Sequence, residues 1–96
     1  MKHYLAVLMP TADGAWRAHL PDFPGCRAEA ASVEEAIFAA SSAAAVVGRS
    51  LQAQSHELPS AQTFEHVRDH SNGWASERGI DWSKALISVV PVAVQD

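Results

Sequence analysis

One cysteine, Cys26, is all the thiol chemistry in the 96 residues, so no internal disulfide can form and the fold must be held by its core. No apolar run approaches the ~18 residues that a membrane-spanning helix requires. Basic side chains are also scarce: 7 Lys and Arg stand against 11 Asp and Glu, a formal net charge of -4. Binding along a phosphate backbone draws on clustered Lys and Arg, so direct nucleic-acid binding is not expected and any charged partner should be basic. No secretory leader is expected, because Lys2 and His3 run straight into an apolar stretch that stops at Pro10 with no small-residue cleavage pattern. These absences point to the cytoplasm. With 48% hydrophobic and 19% charged residues, the composition is that of a folding chain rather than a disordered tail. The length suits a single domain over residues 1–96 with a modest core.

Residues 3–9 are apolar on both sides, with Leu5, Val7 and Met9 alternating against Tyr4, Ala6 and Leu8, which reads as a central strand covered on two faces. Pro10 closes it. Asp13-Gly14 supplies a turn, and residues 15–20 resume a period of two that puts Trp16, Ala18 and Leu20 together. Arg17 and His19 point the other way, toward solvent or a partner. The next segment, Pro21-Asp22-Phe23-Pro24-Gly25, is a rigid connector, since two prolines fix φ and remove two donors. Phe23 is expected to plug the core edge. A short third strand follows over residues 26–30.

Ser32-Val33-Glu34-Glu35 has the form of a capping box, so a long helix should start there. Its apolar stripe at helical spacing is Val33, Ala36, Ile37, Ala40, Ala44, Val47 and Leu51, with Ser42 and Arg49 opposite and Phe38 and Val46 off the stripe. After a polar stretch broken by Pro59, residues 60–70 offer a shorter helix anchored by Phe64 and Val67. Ser71-Asn72-Gly73 then reads as a stop. Residues 85–94 form a β-branched run whose Pro91 suits a position where no amide partner is needed. The expected fold is α+β, in the order β-β-β-α-α-β, an antiparallel sheet with helices on one face.

Taken together, Tyr4 with Val7, Pro10, Gly14 with Trp16 and Ala18, Pro21-Asp22-Phe23-Pro24-Gly25-Cys26, Ser32-x-x-Glu35-Ala36 and Leu58-Pro59 resemble the signature of HicB antitoxins. The resemblance spans residues 3 to about 64. It implies a degraded ribonuclease H-like fold and a non-enzymatic module that covers a small HicA-type toxin, an mRNA-cleaving protein with a catalytic histidine. Such antitoxins usually carry a C-terminal DNA-binding segment. Here only Gln95 and Asp96 follow the last predicted strand, so autoregulation is not expected. Smaller departures are Ala30, where the family often has Gly, and Ala61, where a second proline is usual.

A working ribonuclease H site needs carboxylates converging on divalent metal, one of them in the first strand. Residues 3–9 contain no acid, Asp13 and Asp22 lie in connectors, and Glu34 and Glu35 serve the helix start. No catalytic residue is therefore assigned. His66 and His70 stand four apart, with His56 as a conceivable third metal ligand. Their surroundings do not match a metal-binding helix motif, so no metal or other cofactor is assigned. Cys26 lacks a neighbouring base and reads as a small buried hydrophobe. What remains is protein binding: Trp16, Pro21, Asp22, Phe23 and Pro24 combine rigid apolar anchors with one negative charge, and are the expected partner contacts. Surplus apolar groups, Phe38, Val46, Trp74 and Trp82, add an expectation of homo-oligomer formation. A standalone oligomer with a regulatory or structural role is the alternative reading, and a degenerate nuclease the remoter one.

Overall fold

A computed structural model describes residues 2–23, 26–69 and 80–94. In chain order the elements are β1 (Lys2–Pro10), β2 (Trp16–His19), β3 (Arg27–Ala30), α1 (Val33–Ala53), α2 (Phe64–Asp69) and β4 (Leu86–Val92). Among the described residues the four strands make one antiparallel sheet in the order β3-β2-β1-β4. β1 is interior, which is why it is apolar on both sides. Tyr4, Ala6 and Leu8 enter the main core beneath α1, while Val7 is buried on the opposite face beside its register partner His19.

The β1–β2 hairpin is closed by a turn in which Gly14, at φ 88°, takes the left-handed backbone that a side chain would oppose. Thr11 holds that turn: its amide donates to the Ala15 carbonyl at 2.8 Å, its hydroxyl accepts from the Ala15 amide at 3.0 Å, and it donates to Asp13. β4 arrives last in sequence yet pairs with β1 along Lys2↔Val92 through Leu8↔Leu86. It forms an edge of the sheet, the place where a strand tolerates Pro91.

α1 starts as its cap predicts, with the Glu35 amide donating to the Ser32 hydroxyl at 3.2 Å. The reciprocal bond from the Glu35 carboxylate is absent among the described residues, so the box is half closed. The buried side of α1 is Ala36, Ala40, Ala44, Ala45 and Gly48. This corrects the predicted stripe, because Val47 is 42% exposed. Ala36, Ala40, Ala44 and Gly48 form an i+4 row, and such rows run obliquely to a helix axis. As α1 crosses from β3 toward β4, contact drifts along that row and turns Val47 outward. Gly48 marks the closest approach: a Cβ there would lie 2.6 Å from Val94 Cγ1.

The second helix is shorter than the predicted 60–70. Thr63 caps it, its hydroxyl accepting from the His66 amide at 3.2 Å and its carbonyl from the Val67 amide at 3.0 Å, so regular structure begins at Phe64. Val67 is buried, and Phe64 meets Trp82 edge-on with ring centroids 6.2 Å apart. The predicted stop at Ser71-Asn72-Gly73, together with His70 and Trp74, lies outside the described residues.

Candidate partner-binding site

The connector after β2 is a compact turn before it is anything else. The Leu20 amide donates to the Cys26 carbonyl at 3.3 Å, Phe23 to Leu20 at 3.0 Å and Cys26 to Phe23 at 2.9 Å, which brings its ends together. Pro24, one of the expected contacts, lies outside the described residues. Phe23 is buried and meets the Tyr4 ring edge-on at 4.8 Å and 78°, the geometry preferred by the opposed charge of ring faces and edges. It plugs the core edge, as expected.

Asp22 is buried too, which its position in a polar connector did not foretell. Its carboxylate accepts from the Gln62 side-chain amide at 2.6 Å and from the Gln62 backbone amide at 3.4 Å. Beside it the Tyr4 hydroxyl donates to the Pro59 carbonyl at 2.8 Å. Burial, and then the Asp22 charge, push the Tyr4 pKa above its ordinary value, because both disfavour a phenolate. Tyr4, Asp22 and Gln62 thus clasp the segment between the helices to the mouth of the hairpin. Gln62 carried no sequence signal of this role; Leu58-Pro59 did, as part of the resemblance.

Of the five expected contacts, Trp16 and Pro21 are half-buried and keep accessible surface, whereas Asp22 and Phe23 face inward. Trp16 packs its inner side on the core and pairs across strands with Pro10 and Ala30. Burial raises the pKa of the Cys26 thiol, which suits a small hydrophobe better than a nucleophile.

On the sheet face away from α1, Arg17 and Glu29 form a cross-strand ion pair at 2.9 Å. With Arg27 and Ala28 they line a shallow depression of about 180 Å³. His19, predicted to face solvent or a partner, is buried on this face instead. Ile87 and Val89 extend the same face toward β4 and are exposed. Among the described residues no three His, Cys, Asp or Glu side chains are gathered to hold a metal ion, and no helix is long and apolar enough to cross a membrane. Asp13 sits on the hairpin turn, its pKa lowered chiefly by the hydrogen bond from Thr11.

Comparison with known proteins places this geometry. Residues 4–96 match the family model described as the HicB-like antitoxin of bacterial toxin-antitoxin systems. Among solved structures, the N-terminal domain of the Burkholderia pseudomallei antitoxin HicB superposes with a TM-score of 0.75 at 14% identity, covering 97% of this chain and 100% of that one. A chain of a HicA3 and HicB3 toxin-antitoxin complex gives 0.64 at 20% identity over 97% and 100% of the two chains. A chain of a toxin-antitoxin complex from Streptococcus pneumoniae gives 0.74 at 21% identity, over 93% of this chain and 67% of that one. No curated protein matches the sequence significantly.

Proposed function

The chain belongs to the HicB-like antitoxin family, and from that premise we propose that it is a non-enzymatic, cytoplasmic protein-binding module whose partner is a small HicA-type toxin. The family match over residues 4–96 carries the reading. Two similar structures are themselves toxin-antitoxin complexes, which supports it. A toxin that acts on RNA has to present positive charge, and a chain of net charge -4 is matched to such a surface.

Within the connector we propose a division of labour. Asp22 and Phe23 hold its shape through Gln62 and Tyr4, and Trp16 and Pro21 present the contact surface. A rigid, clasped turn loses little entropy on docking. The exposed apolar side chains, with Phe38 at 75% and Val89 at 59%, favour self-association as well.

The test is co-expression with the product of any short neighbouring gene that encodes a basic protein. The expected result is a stable complex that relieves growth arrest, and Trp16→Leu, which keeps apolar cover on the core, should weaken it while leaving the melting temperature within a few degrees. Failure of the pair to associate at low salt would overturn the antitoxin reading. Metal-dependent cleavage of RNA or DNA that survives repurification and is lost in Asp13→Asn would overturn the non-enzymatic one.

A further inference from the structure

Five exposed side chains of α1, Glu35, Phe38, Ser42, Val46 and Arg49, recur every three or four residues. At 3.6 residues per turn they fall within an arc of about 80°. The stripe faces away from the sheet, against which α1 lays Ala36, Ala40, Ala44, Ala45 and Gly48. It holds the two most exposed large apolar side chains of the described residues, Phe38 at 75% and Val46 at 62%.

The stripe is also self-complementary. Phe38 and Val46 lie four residues to either side of Ser42, and Glu35 and Arg49 lie seven. Its two charges are available. The Glu35 carboxylate makes no hydrogen bond among the described residues, its amide alone serving the cap. Arg49 has no ion pair there, only a 3.4 Å contact from one guanidinium nitrogen to the Ala93 carbonyl. Beside Ser42, Ala39 is small enough for another helix to approach closely.

We infer that α1 is a dimerisation surface, on which two copies of this chain pack antiparallel about a two-fold axis at Ser42. Phe38 of each copy rests on Val46 of the other, and Glu35 of each pairs with Arg49 of the other. An isologous contact of this kind uses one patch twice, and the antiparallel arrangement also opposes the two helix dipoles. β4 is apolar and exposed at Leu86, Ile87 and Val89, but no acid-base pair flanks these residues in symmetrical register. One helix pair is a small interface, so the dimer is reversible in the micromolar range. The inference rests on the self-association proposed above and names its surface.

Sedimentation equilibrium of the full chain, from low to high micromolar, tests it together with cysteine cross-linking. The parent protein should be a reversible dimer, and Phe38→Glu should weaken it about tenfold or more. Glu35→Arg and Arg49→Glu should each weaken it several-fold, and the double variant should recover most of that loss, which no merely structural role predicts. Under mild oxidation Ser42→Cys should give a disulfide-linked dimer, because two residues on the axis come within bridging distance, and Ser50→Cys should not. A dimer untouched by Phe38→Glu and by both charge reversals would put the contact elsewhere and overturn the α1 surface while self-association stands. A monomer at every concentration would overturn both.

Discussion

Asp22 separates two roles that one motif can have. A charged residue between prolines on a connector is an obvious contact for a basic partner, yet its oxygens are taken by Gln62. Asp22→Lys would put an ammonium against the Gln62 amide donors in a buried place, so we expect a loss of about 2–3 kcal/mol, the usual scale for a buried group left unsatisfied. Urea denaturation measures it, and an unchanged midpoint would return Asp22 to the surface. Tyr4→Phe removes only the bond to the Pro59 carbonyl and should cost about 1 kcal/mol. The two losses should be less than additive, since both release the same segment.

α1 is held by small residues, which makes it sensitive to added volume rather than to lost volume. Ala36, Ala40 and Ala44 are fully buried against the strands, so Ala40→Leu adds three carbons where no space exists. The expected cost is about 1–3 kcal/mol, read as a fall in melting temperature. Ser32→Ala should cost about 1 kcal/mol through the lost cap, and Ser32→Asp should restore it because an acid suits the positive end of the helix dipole. The start of this helix was legible because capping is chemistry of neighbouring residues. The buried face was legible only in part: Ala36, Ala40 and Ala44 obey helical spacing, but Val47 and Gly48 change places because α1 crosses the strands obliquely.

For the molecule as a whole, two buried groups set an alkaline limit. The pKa values of Tyr4 and Cys26 are both raised in the folded state from ordinary values of 10.0 and 9.0. The folded protein therefore holds their protons more tightly than the unfolded chain does. Their contribution is complete below the unfolded pKa and is lost as pH rises through the folded one. Melting temperature should be insensitive to these groups near neutrality and should fall above about pH 9. Cys26→Ala should remove the earlier part of that fall, and a melting curve that stays flat to pH 11 would contradict the burial of both groups.

Local chemistry in the sequence determined much of this protein. The continuous apolar run of β1 specified an interior strand, Asp13-Gly14 the hairpin turn, Ser32 the helix start, and the spacing of Pro21, Phe23, Cys26 and Ala36 the resemblance to the family. Each of these depends on residues close together in the chain. The tertiary structure decided what distance along the chain conceals. Gln62 reaches Asp22 from 40 residues away, and β4 closes on β1 from more than 80 residues away at Lys2↔Val92. His19 and Asp22 carry polar side chains that the sequence alone sends outward, His19 by strand alternation and Asp22 as the one charge on the connector, and only the packing of distant segments around them makes them buried. The stripe on α1 shows the same limit from the other side. Its residues could be read from the sequence, but that they face away from the sheet depends on which row of small side chains the strands receive.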